Sequence, residues 1–188
     1  LPIGVLGAIL AGAFCGFCSG SFVAKMKIPP FIATLGMMLI LKGLSLVVSG
    51  ARPIYFNNTP GFDEISRGSL IGEVLPFLPI PNGVLILFIV AGVASYVLSK
   101  TILGRYCFGI GSNEEAVRLS GVNTDFWKIA IYSVAGGICG IAGILISSRL
   151  NSAQPALGLG YELEAIAAVV IGGTSLSGGR GTIIGTLI

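Results

Sequence analysis

The residues that could do chemistry are few and scattered. The chain holds no histidine, which removes the commonest general base and a favoured metal ligand. Cys15 and Cys18 form a C-x-x-C pair, but inside an uncharged apolar run where nothing would stabilise a thiolate. They are read as small apolar fillers. Cys107 and Cys139 are isolated, and no disulfide framework is implied. The nearest thing to a catalytic motif is GGTSLSGGRG at 172–181. Gly173 and Gly178 have the spacing of a phosphate loop, yet Gly179 and Arg180 follow where that motif needs Lys and then Ser or Thr. No strand precedes it. A glycine-rich break that lets a helix turn or pack tightly is the better reading. Glu162 and Glu164 stand at the edge of this break, and the clear apolar runs carry no carboxylate. No catalytic residue, metal site or bound cofactor is expected, so the chain is not read as an enzyme.

Elements that would position such groups follow from composition. The 188 residues are 54% hydrophobic and 10% charged, against about 25% charged in a soluble domain. Residues 1–24, 82–99 and 129–148 carry no charge, and 31–48 carry only Lys42. Crossing about 30 Å of hydrocarbon takes roughly 20 helical residues. Four stretches therefore qualify as spans or near-spans, and a fifth apolar region, 165–188, is interrupted by the glycine-rich break. The fold class is an all-α, polytopic membrane helix bundle with a broken Gly-rich helical region. The first run is not a signal peptide, because it lacks a basic start and is long and Gly-rich. The net charge of +3 comes from scattered cations, which gives no nucleic-acid surface.

Charge placement sets an orientation. Lys25 and Lys27 follow the first span, and Lys100, Arg105, Arg118 and Lys128 flank or occupy the 100–127 loop. The 49–81 loop sets Arg52 and Arg67 against Asp63, Glu64 and Glu73. Positive charge collects on the cytoplasmic side, so 100–127 is expected inside and 49–81 outside. That outer loop is rich in Pro, Asn and Gly, and its stretch 61–75 is expected to hold a short surface helix. Asn57-Asn58-Thr59 matches a glycosylation sequon that arises often by chance. Gly12, Gly16 and Gly20 share one helix face, and Gly136 and Gly140 repeat the spacing, with Gly143 close to the same face. Small residues so spaced let helices approach closely in lipid. Tight packing is the favoured reading, with sliding or rocking of the faces as the functional version. Lys42 is expected to snorkel to the interface, the alternative being a watery cavity.

Residues 112–121, SNEEAVRLSG, read as a complete short helix within the inner loop. Ser112 is expected to cap it, with Glu115 completing a capping box. Glu114 and Glu115 suit the positive end of the dipole and Arg118 the negative end. Gly121 is placed to end the helix in a left-handed conformation. So short a helix is not stable alone. Either the membrane surface or a groove on a partner protein must hold it; Ala116, Val117 and Leu119 offer the apolar contact.

The stretch LGRYCFGIGSNEEAVRLSGVN resembles the cytoplasmic loop of the ribose-type ABC sugar permeases. SRLNSAQPALGLGYELEAIAAVVIGGTSLSGGRGTIIGTLI resembles the segment that follows it there, and PPFIATLGMMLILKGL resembles an earlier helix of the same family. Order and spacing agree over about 29–188. The resemblance implies a single transmembrane permease domain over 1–188, an excerpt expected to lack the early and final helices of the whole permease. It implies import of a monosaccharide such as ribose by alternating access, in the bacterial cytoplasmic (inner) membrane. Two permease copies, identical or paralogous, would form the pathway, with two ATP-binding cassette subunits below and an extracytoplasmic sugar-binding protein above. ATP and Mg would be used by the partner subunit. The helix 112–121 would be the coupling helix: Asn113, Glu114, Ala116, Leu119, Ser120 and Gly121 match the family's loop, with Ser112, Glu115 and Arg118 between or beside them. A sugar pathway needs hydroxyl and amide groups, for which Thr34, Ser45, Asn151, Ser152 and Gln154 are available. The competing expectation is an ion-coupled secondary transporter of a small polar solute, which would usually place carboxylates within its spans.

Overall fold

The computed structural model describes residues 1–56, 59, 61–69 and 80–188. The sequon residues Asn57 and Asn58, and 70–75 of the expected surface helix, lie outside the described residues. Among the described residues, four helices are long and apolar enough to cross a membrane: α1 (Pro2–Lys25), α2 (Pro30–Ser49), α4 (Asn82–Lys100) and α6 (Thr124–Leu150). Their boundaries follow local chemistry. Pro30 opens α2 at a position where its missing N–H costs nothing. Gly50 closes that helix at φ +60, the left-handed conformation glycine tolerates best. At the start of α6 the Asn123 side chain accepts a hydrogen bond from the Phe126 N–H at 3.1 Å.

The spans define two ends. Lys25, Lys100 and Lys128 mark a basic end. At the far end, between α2 and α4, lies the short helix α3 (Glu64–Arg67). A two-residue ladder closes the far end: β1 (Ile54–Tyr55) pairs antiparallel with β2 (Ser152–Ala153) just beyond α6. Ser148, fully buried near the end of α6, fastens α3. Its hydroxyl donates to the Phe62 carbonyl at 2.6 Å and accepts from the Ser66 N–H at 3.0 Å.

Among the described residues, the most extensive helix contact is α1 on α6. Glycine makes it possible. A Cβ at Gly12 would run into the Gly136 carbonyl, one at Gly16 into the Tyr132 carbonyl, and one at Gly136 into the Gly12 carbonyl. At Gly20 it would stand 2.9 Å from the Ile129 Cα, and at Gly140 2.7 Å from the Ala8 carbonyl oxygen. Both glycine faces thus meet backbone to backbone. Gly143 is not part of the seam, for a Cβ there would have open space within 4 Å. With so few residues buried, most of the apolar surface of the spans faces outward, as lipid allows.

The region beyond α6 is a broken helix. α7 (Tyr161–Ile171) gives way to an irregular segment and then α8 (Ile183–Leu187). Eleven residues of helix rise about 16 Å, about half the hydrocarbon thickness. Glu162 lies with the far-end residues Ser49 and Ile54, whereas Leu176, Ser177 and Gly178 lie with Lys27 and Arg118 at the basic end. The segment after α7 therefore completes the passage without helical structure. α8 then turns back, so that the Gly185 carbonyl sits where a Gly172 Cβ would be.

Candidate functional site

Among the described residues, cavities lie at both ends of α6. The far-end chamber has a volume of about 580 Å³ and lies between the second half of α2, the last turns of α6 and residues 153–162. Its walls are mostly apolar, among them Met38, Leu41, Ile146, Leu157 and Leu159. A few polar groups interrupt them: Lys42, Ser45, Ser49, Ser147, Gln154 and Glu162. Lys42, Ser45 and Ser49 are spaced i, i+3 and i+7, so one face of α2 presents all of them. An apolar wall with a few convergent polar groups suits a small polar ligand.

The expected pathway residues divide on this geometry. Ser45 and Gln154 line the chamber. Thr34 does not; it is exposed on α2, with its hydroxyl bonded to the Pro30 carbonyl at 3.0 Å. Asn151 caps α6 in the left-handed region at φ +49, and Ser152 is buried and accepts from the Gln154 amide at 3.3 Å. Ser152 thus orients Gln154 and does not itself line the chamber. Lys42 stands in the chamber wall, half-buried, rather than serving only as a snorkelling surface cation. Ser49, Ser147 and Glu162 join it, a set visible in sequence only as polar residues near span ends.

The basic-end cavity measures about 990 Å³ and is bordered by Lys27, Glu114, Arg118, Asp125, Lys128 and Ser177. Cys107 also borders it, and burial pushes that thiol above its ordinary pKa. Its wall includes part of the segment expected to form a complete short helix at 112–121. The observed helix is longer: α5 runs Ile102–Leu119 with one interruption at Asn113, where φ is −156 and ψ 98. This corrects the expected cap. Ser112 ends the first part of α5, and Asn113 caps the second, its Oδ1 accepting from the Ala116 N–H at 3.0 Å. Asn is as good a cap as Ser, and the residue that leaves helical geometry takes the role. The cap's third position is then Ala116, so Glu115 closes no capping box; it lies 3.8 Å from Arg118. Ser120 ends the helix, and Gly121 follows at φ +87.

Part of what steadies this short helix lies within the chain. Glu114 and Lys128 form an ion pair at 2.6 Å that ties the helix to the base of α6. A Val117 methyl lies 3.2 Å from where a Gly109 Cβ would be, folding the second part of α5 onto the first. Ala116 and Leu119 remain exposed, Leu119 at 81%. Tyr106 and Trp127 rings pack 4.7 Å apart beside this corner, aromatic residues of the kind that settle at membrane interfaces.

A family model described as "Branched-chain amino acid transport system / permease component" matches residues 1–188. The ribose import permease protein of Escherichia coli is 46% identical over 186 residues, covering 99% of this chain and 57% of that protein. Its counterpart in Haemophilus influenzae is 44% identical over 183 residues, covering 96% of this chain and 54% of that protein. The fructose import permease protein of Rhizobium meliloti is 38% identical over 194 residues, covering 98% of this chain and 51% of that protein. The chain spans about half the length of the curated relatives it matches. No solved structure matches it.

Proposed function

The chain belongs to the branched-chain amino acid transport system / permease component family, and on that premise we propose that it walls the translocation pathway of an ATP-driven monosaccharide importer. The substrate class rests on the relatives named for ribose and fructose. The supporting observation is an arrangement: the far-end chamber and the capped corner of α5 both build on α6, one at each end. A load at the corner is thereby connected to the chamber through a single helix.

The Lys-rich end faces the cytoplasm in this reading, as the positive-inside tendency favours. A binding protein delivers the sugar to the far end. It enters the chamber, where Ser45 and Gln154 offer hydroxyl and amide groups, with Lys42 and Glu162 beside them. The segment Asn113–Gly121 is the coupling helix, presenting Leu119, Ala116, Ser120 and Glu115 to an ATP-binding subunit. Glu114 faces Lys128 and fixes the angle at which the helix leaves the bundle. No bond in the sugar changes. ATP binding and hydrolysis with Mg occur on the partner subunit, and a second permease copy completes the passage.

The test uses the full-length permease with its ATP-binding subunits in lipid vesicles, supplied with binding protein and labelled ribose. Uptake is expected to require ATP. An ion gradient that drove uptake without ATP would overturn the reading. Leu119→Asp places a charge on the exposed apolar contact, and Glu114→Arg sets two cations side by side at Lys128. Each is expected to lower uptake about tenfold or more while membrane insertion stays normal; a tenfold change needs only about 1.4 kcal/mol. Normal uptake with normal ATPase stimulation in both variants would remove the coupling role.

A further inference from the structure

We propose that the glycine-rich segment between α7 and α8 is a clasp on the root of the coupling helix, and that Gly111, Gly178 and Gly179 position the broken helix so that it moves with that root. The inference rests on the transport reading above and adds a second line of transmission to it. The first line runs from Glu114 through Lys128 into α6. The second begins just before the interruption at Asn113.

Contact at this point is backbone on backbone. A Cβ at Gly111 would lie 2.7 Å from the Gly179 N, and one at Gly178 would lie 2.6 Å from the Gly111 carbonyl oxygen. A Cβ at Gly179 would meet Ser112 at 3.0 Å. Side chains at any of these positions would separate the two segments. The clasp also holds its own shape. Gly173, Gly178 and Gly179 take φ of +84, +88 and +77, values that side chains other than glycine seldom adopt. The Ser175 N–H donates to the Arg180 carbonyl at 3.0 Å, and the Gly178 N–H donates to the Ser175 carbonyl at 3.1 Å. At its other end the segment leads into α7, whose Glu162 lines the far-end chamber. A displacement of the Gly111–Ser112 corner is thus delivered to the chamber along α7. Of the two glycines with phosphate-loop spacing, Gly178 serves this contact and Gly173 serves the positive φ of its turn.

Two variants of the full-length permease, assembled with its ATP-binding subunits in vesicles, test the clasp. Gly111→Ala leaves α5 a better helix former but drives a methyl into Gly179. Uptake is expected to fall roughly tenfold or more through overpacking at this contact, while ATP hydrolysis persists, because the exposed face at Leu119 is untouched. The second variant carries spin labels on Arg105→Cys, on the same part of α5 as Gly111, and on Ser177→Cys, both exposed positions outside the glycine contact, in a full-length permease whose native cysteines are all replaced by Ala. If root and clasp move as one, the distance between the labels is the same in the nucleotide-free and the ATP-bound complex. Wild-type uptake by Gly111→Ala, or a label distance that changes when ATP binds, would overturn the proposal. Failure of ATP-driven uptake in the unmodified complex would instead count against the underlying transport reading.

Discussion

Ser148 shows how much one hydroxyl can hold. It has no exposed surface and joins α6 to both Phe62 and Ser66 of the far-end loop. Ser148→Ala removes both bonds, although weaker backbone partners remain: Ser66 N–H to the Asp63 carbonyl at 3.3 Å, and Ile65 N–H to the Phe62 carbonyl at 3.4 Å. The cost is therefore set near the low end for buried polar groups, about 1–2 kcal/mol. Thermal unfolding of the purified full-length permease is expected to drop by a few degrees; an unchanged midpoint would show that the loop is held elsewhere. In sequence this residue is invisible, one serine of SSRL at a span end. The same limit applies to Thr34 and Asn151, chosen by side-chain type and placed outside the chamber. Type says what a residue can bond; only the fold says what stands opposite it. Ser45 and Gln154, chosen the same way, do line the chamber.

At the level of elements the sequence was far more legible. Charge-free runs long enough to cross a bilayer became α1, α2, α4 and α6, because lipid admits helices there and little else. The four-residue glycine spacing announced a close-packed face, though not its partner. That partner is the second glycine face, with Gly143 left out. Gly16→Val would press two methyls against the Tyr132 carbonyl, whereas Gly7→Ala meets nothing within 4 Å. The first is expected to destabilise the bundle by about 1–3 kcal/mol and the second to stay near wild type, read as melting of each purified variant in detergent. Equal melting would mean that α1 and α6 are not joined along this seam. The corner of α5 was legible in part. Its C-terminal end at Gly121 could be read from residues 112–121, but its cap, which falls on Asn113 and not on Ser112, and the preceding helix from Ile102 could not. GRYCFGIG carries three glycines, poor helix formers, and tertiary contact at Gly104 and Gly111 overrides that propensity.

For the whole molecule, alternation of charge set the order of crossings, and the structure agrees in bringing 54–55 and 152–153 to one end. The passage of 161–188 was not legible. Apolar composition is similar in a straight span and in one that breaks midway, and the direction of the break depends on its clasp with α5. Backbone left out of helix at membrane depth must be covered by protein or line water, and here the packing of Gly178 and Gly179 on Gly111 and Ser112 covers part of it. The far-end ladder has a consequence for synthesis. Ile54 finds its partner only at Ala153, roughly 100 residues later in translation. At about 5–20 residues per second, the loop bearing β1 waits some 5–20 seconds for β2 to emerge. Through that interval α2 and α4 sit in the bilayer without the staple, and Gly12 likewise waits for Gly136. The bundle is therefore locked by its later-made half, and a nascent chain halted before α6 carries inserted helices with neither seam nor ladder.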